Sequence, residues 1–242
     1  MHQHTGVREE HTIYSQHLQN SFTFTIYYPT HFSPLLKHEL LIAQDGQDYF
    51  NLGKVHRVVD QLMKDGVIQP TIIVGLPYES VEERFKHYHP SQPKQTEYIR
   101  FLAEELLPYL DQTLPTLSLA HGRTLIGDSL GATVSLQAAF QYPHSFGKVI
   151  LQSPFVNDTV LQFIQENALP IPLSIYQTVG TEETNVFTPS KQLVNFVEGS
   201  HQLKELLQKL TIEYVYEEFE GDHTWTNWEK QLHDLLKLCL KK

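Results

Sequence analysis

Thr71-Ile72-Ile73-Val74-Gly75-Leu76, closed by Pro70 and Pro77, is the segment that most restricts what this chain can fold into. A strand with no alternation of polar and apolar residues cannot show one face to water, because every second side chain would be exposed. The run requires a strand covered on both sides, the environment of a parallel sheet between helical layers. Glu39–Gln44, Arg123–Ile126, Lys148–Leu151 and Ser174–Val179 are similar short buried strands, and Thr211–Phe219 alternates as a further one. Between them the apolar period changes from strand to helix, as at Val55, Val58, Val59, Leu62 and Met63, and again at Tyr98, Phe101, Leu102, Leu106 and Leu110. Helices are also predicted over Val156–Leu169, Ser190–Leu210 and Trp225–Leu240.

Near the N-terminus, Thr12–Ser15 and Phe22–Tyr28 are rich in β-branched and aromatic residues and are separated by a polar stretch, which predicts an antiparallel pair. The expected architecture is α/β: a mostly parallel central sheet with an antiparallel N-terminal hairpin and helices on both faces. Tyr78–Pro93 has no clear period and is expected to be a surface loop. Residues 1–242 are expected to form a single domain with residues 1–8 flexible, and the later strands leave no room for a large lid.

A net charge of −10, with no basic run longer than Lys241-Lys242, argues against nucleic acid or an anionic membrane surface as partner. The polar start from Met1 to Glu10 lacks the apolar core of a secretory signal, and no stretch approaches a bilayer-spanning length. A cytoplasmic protein is expected. Cys239 is the single cysteine, so no intrachain disulfide can form.

The chemistry begins at Gly127-Asp128-Ser129-Leu130-Gly131, which lies between the Arg123–Ile126 strand and an apolar helical run from Ala132 to Phe140. A serine on a tight strand-to-helix turn presents its hydroxyl at the C-terminal edge of the sheet, and small residues around it allow the backbone to pass close to neighbouring elements. The amide after the serine then faces the place where an oxyanion would form. Two loops at later strand ends supply partners: Gly180-Thr181-Glu182-Glu183, and Glu220-Gly221-Asp222-His223. The order serine, acid, histidine makes His223 the expected general base, with Glu182 or Glu183 to orient it. Asp128 and Asp222, each next in sequence to one of these residues, are expected to be turn residues.

In these features the chain resembles the esterase branch of the α/β-hydrolases that includes S-formylglutathione hydrolase, enterochelin esterases and feruloyl esterases. The matching pieces run over nearly the whole length: Ser15–Leu18, Leu41–Gln47, Arg84–Pro90, the elbow, Ser153-Pro154, and Gly221-Asp222-His223-Thr224-Trp225 with Trp228. The resemblance implies an α/β-hydrolase fold and a serine esterase with Ser129 as nucleophile, His223 as acid–base and Glu183 as the triad acid. It also implies an oxyanion hole from the N–H groups of Gln47 and Leu130, and a substrate contact from Arg84, whose alternative reading is a structural salt bridge with a neighbouring glutamate. The implied substrate is a small or medium soluble ester, of the siderophore type as one option. No cofactor and no metal are expected, since the His87-x-His89 pair has no third ligand near it in sequence. The same constellation would also serve an acyltransferase, or persist in a hydrolase-fold binding protein without activity.

Overall fold

The computed structural model describes residues 6–167, 173–189 and 191–242. Strands β1 (Val7–Ser15) and β2 (Asn20–Tyr28) pair antiparallel, from Val7↔Tyr28 to Ser15↔Asn20. β1 thus takes in Val7 and Arg8, at the end of the stretch expected to be flexible, because the β2 backbone gives them ladder partners. Next come β3 (Glu39–Gln44), α1 (Gly46–Asn51), α2 (Val55–Lys64) and β4 (Thr71–Leu76). Both strands are buried throughout, as the unbroken apolar runs require.

The stretch expected to be a loop contains α3 (Val81–Tyr88). Ser80 starts it, accepting a hydrogen bond from the Glu83 amide, and Val81, Phe85 and Tyr88 share a face at helical spacing. α4 (Pro93–Arg100) continues through a wide turn at Phe101–Leu106 into α5 (Leu107–Thr113). There the Leu107 amide bonds back to the Leu102 carbonyl, five residues away rather than four. Pro108, next in the chain, has no amide hydrogen and needs room where the preceding turn's carbonyl would stand.

β5 (Arg123–Asp128), α6 (Leu130–Gln141), β6 (Lys148–Gln152), α7 (Asp158–Glu166) and β7 (Ser174–Gly180) follow. The end of the helix expected over Val156–Leu169 lies outside the described residues. A small antiparallel hairpin, β8 (Val186–Phe187) with β9 (Leu193–Val194), precedes α8 (Phe196–Leu207). The helix expected from Ser190 thus begins at Phe196, where the Asn195 side chain caps it through the Glu198 amide; Ser190 itself lies outside the described residues. β10 (Glu213–Phe219) and α9 (Trp225–Cys239) complete the chain.

The main sheet runs β1-β2-β4-β3-β5-β6-β7-β10, parallel from β4 to β10. Alternate residues of its strands feed two cores. Leu40, Ile42, Ile72 and Val74 face the side covered by α4 to α8; Leu41, Ala43 and Ile73 face α1, α2 and α9. Among the described residues no helix is long and apolar enough to cross a membrane. The parallel strands bring four loop ends, after β3, β5, β7 and β10, to one edge of the sheet.

Candidate active site

Ser129 stands between β5 and α6 with φ 52° and ψ −121°, a conformation that side chains rarely adopt. Its surroundings fix that geometry. The Ser129 amide donates to the Gln152 carbonyl on β6 (2.9 Å), and its carbonyl accepts from the amides of Thr133 and Phe155 (3.2 Å each). Gly127 is obligatory here, because a Cβ would overlap the backbone of Gly131 across the turn. Leu130 is the first residue of α6, so its N–H has no partner within the helix.

The acid is built at the end of β7. Glu183 is fully buried, and its amide donates to the Gly180 carbonyl in a tight turn (3.1 Å). Oε1 accepts from the Gly180 amide (2.8 Å) and the Ser153 hydroxyl (2.7 Å). Ser153 in turn accepts from Trp228 Nε1 (2.9 Å). The loop that carries the histidine is tied to the same turn, since the Thr181 amide donates to the Phe219 carbonyl and that of Glu182 to the Gly221 carbonyl.

His223 Nδ1 lies 2.6 Å from Glu183 Oε2. A carboxylate only accepts, so Nδ1 carries the shared proton, and in the neutral ring Nε2 is the nitrogen with the lone pair. Phe196 packs against the imidazole at 4.0 Å between ring centres, and Trp228 meets it edge-on at 4.8 Å. These contacts leave the histidine side chain 12% exposed. Glu183 is thus the acid that meets His223, while Glu182 is exposed. Asp222 bonds outside this pair, accepting from Thr224 and Asn227.

Ser129, Leu130, Arg84 and His223 line one cavity of about 550 Å³. Its walls are aromatic: Phe85 and His89 from α3 and the residue that follows it, Phe155 after β6, Phe187 from the hairpin and Phe196 from α8. These wall residues come mainly from the segments whose pattern is least clear in the sequence. The Ser80 cap, with Val81, Phe85 and Tyr88 at helical spacing, and the Asn195 cap are signals that would have placed α3 and α8. His87 stacks on Tyr98 and His89 on Phe85.

Gln47 is not in the cavity wall. It is the second residue of α1, after a left-handed Asp45 (φ 52°, ψ 41°), and the Asp45 carbonyl accepts the amides of Asp48 and Tyr49. The Gln47 amide therefore precedes the first helical bond, as the Leu130 amide does in α6. Arg84 is engaged by Asp45: Nε lies 2.9 and 3.0 Å from its two carboxylate oxygens, and Nη2 lies 2.6 Å from Oδ2. Burial, then the Asp45 charge, push the neighbouring Asp128 carboxyl up to about 8, against the opposing pull of Arg84.

Comparison with known proteins bears on the family and the fold. The chain is 44% identical over 235 residues to the uncharacterized protein YjcH of Bacillus subtilis (strain 168), covering 97% of this chain and 98% of that one. It is similar in fold to the BES protein of Bacillus cereus (TM-score 0.80, 22% identity, 97% and 95% of the two chains). It is also similar to the enterobactin esterase FES of Shigella flexneri (TM-score 0.80, 19% identity), covering 96% of this chain and 60% of that longer one. Residues 15–238 match the Esterase family model ("Putative esterase"). With an eight-stranded, mostly parallel sheet flanked by helices and that match over most of its length, the chain has the α/β-hydrolase fold and belongs to the Esterase family.

Proposed function

We propose that the protein is a serine carboxylic-ester hydrolase working through an acyl-enzyme. The observation that carries this reading is the 2.6 Å contact between Glu183 and His223 beside a cavity that Ser129 also lines. Ser129 Oγ adds to the ester carbonyl carbon while His223 Nε2 takes the hydroxyl proton. The carbonyl oxygen becomes an oxyanion, for which the N–H groups of Gln47 and Leu130, each without a helical partner in the first turn of its helix, are the donors of this reading. The C–O bond to the alcohol then breaks, and the alcohol leaves with the proton from His223. Water, deprotonated by the same imidazole, adds to the acyl-serine and releases the acid. Glu183 keeps the ring in the tautomer that leaves Nε2 basic.

The aromatic walls favour a small or medium ester with a planar aromatic group, and catecholate esters of the siderophore kind are among those to assay. The test is hydrolysis of p-nitrophenyl butyrate and an aromatic-acid ester by the wild type, Ser129→Ala and His223→Ala, with products resolved in the presence of an alcohol. The expected result is release of free acid by the wild type, with each variant slower by about 10⁴-fold or more. Equal rates in the variants would overturn the reading, and a product esterified to the added alcohol would assign acyl transfer instead.

A further inference from the structure

Beyond the pairing that ends at Ala43↔Ile126, β3 and β5 share no ladder contact. Two residues further on, at Asp45 and Asp128, begin the turns that carry Gln47 and Leu130. Arg84, reaching in from α3, spans this gap. Its Nε and Nη2 hold the Asp45 carboxylate, and Nη2 also lies 3.4 Å from the Asp128 carbonyl oxygen. The same nitrogen is 3.8 Å from Asp128 Oδ2. The Asp45 carboxylate packs so close to the elbow that a Cβ on Gly131 would come within 3.0 Å of it.

Resting on the reading of Ser129 as nucleophile, we propose that Arg84 is a positioning residue that locks the two halves of the oxyanion hole in register, joining the turn before Gln47 to the turn before Leu130. The clamp joins two neighbouring turns that each hold a non-glycine residue, Asp45 and Ser129, at φ 52°. It also sets Arg84 apart from a purely substrate-binding role, since its side-on Nε and Nη2 pair is already held by Asp45. A lysine could not do the same work, because its single ammonium cannot make the side-on pair with a carboxylate and reach a second turn. The charges agree. Arg84 and Asp45 offset each other, and burial followed by the nearby Asp45 pushes the Asp128 carboxyl up against the pull of Arg84. Asp48, the remaining carboxyl here, accepts from the Tyr78 hydroxyl, and burial followed by the Asp45 charge raises it as well. The rings of Tyr88 and Tyr78 flank the guanidinium at 5.4 and 5.8 Å, and Tyr49, buried nearby, is held neutral.

The experiment compares kcat and KM for Arg84→Lys, Arg84→Ala and Asp45→Asn with the wild type and Ser129→Ala on one p-nitrophenyl ester. The rate of fluorophosphonate labelling is read in parallel, because its phosphoryl oxygen uses the same donors. Arg84→Ala should lower kcat and labelling together by about 10²-fold, the size of losing an oxyanion donor, with KM within about threefold. Arg84→Lys should lose about tenfold or more for the same reason. Guanidinium ion, well below denaturing concentration, should restore part of the Arg84→Ala rate and leave the Arg84→Lys rate unchanged. A raised KM with kcat intact would assign Arg84 to substrate and overturn the proposal, as would wild-type kcat in Arg84→Lys and Arg84→Ala. If Arg84→Ala does not fold, by near-ultraviolet circular dichroism, Arg84→Lys and Asp45→Asn decide. Should Ser129→Ala keep full activity, the nucleophile reading fails first; a dead Ser129→Ala beside unaffected Arg84 variants rejects the clamp alone.

Discussion

Glu183→Gln changes one atom of a fully buried side chain, and its surroundings dictate the outcome. Oε1 accepts two hydrogen bonds, from the Gly180 amide and the Ser153 hydroxyl. The glutamine oxygen must stay there, since turning the amide over would set its NH₂ against the Gly180 N–H. The NH₂ then faces His223 Nδ1, where the carboxylate had accepted at 2.6 Å. The ring must now accept at Nδ1 and carry its proton on Nε2, which makes it no base for Ser129. The expected loss in kcat is about 10³- to 10⁴-fold, or ~4–5.5 kcal/mol of barrier, as when a triad carboxylate is replaced by its amide elsewhere. Steady-state ester hydrolysis measures it, with thermal unfolding alongside. Because the shape is conserved, the melting temperature should move little. A Glu183→Gln enzyme within about tenfold of wild type would refute the tautomer argument and leave a serine–histidine pair acting without the acid.

Asp128 gives a pH test with a defined sign. Its folded-state carboxyl lies near 8 against an ordinary 3.8, so between those values the native state holds a proton that the unfolded chain has lost. Stability should therefore fall as pH climbs through that window, and Asp128→Asn should flatten the slope in urea titrations. Ionisation above about 8 also places a second carboxylate charge beside Asp45 and one residue before Ser129, so kcat should decline there in the wild type and not in Asp128→Asn. Ser153→Ala removes a donor to Glu183 and the acceptor of Trp228 Nε1. A loss of ~1–3 kcal/mol, read as about 2–10 °C in melting temperature, should accompany a drop of about tenfold in kcat. Gly127→Ala drives a Cβ into the Gly131 backbone and should cost ~3 kcal/mol or more by thermal unfolding; a melting temperature equal to wild type would contradict the packing described at the elbow.

The inner strands of the sheet were legible because they are wholly buried. Thr71–Leu76 and Glu39–Gln44 tolerate no polar alternation, and the structure gives them the residues the pattern gives. Val55–Lys64 was legible because one face meets the core and the other meets water. The pattern weakens where side chains face neither. In α3, Val81 is 55% exposed, Arg84 reaches a buried cluster and Phe85 lines the cavity, so the short stripe of Val81, Phe85 and Tyr88 does not read as a core-facing helix. Phe187 and Leu193 in the hairpin are paired across two short strands and remain exposed, which removes the burial signal that marks a strand. Ser129 and His223 could be proposed because the glycines of Gly127–Gly131 and Gly221 mark tight turns at strand ends. Choosing Glu183 over Glu182 took the family resemblance, and its physical basis is the tight turn at Gly180 that sends Glu183 inward. The contacts of Arg84 were hidden because its partners are 39 and 44 residues away in the chain.

Fluorophosphonate labelling followed by intact mass and peptide mapping addresses the central claim most directly. The account predicts a single adduct on Ser129 in the wild type, none in Ser129→Ala, and slow labelling in Glu183→Gln. An unlabelled wild type, or an adduct on any other residue, would contradict it.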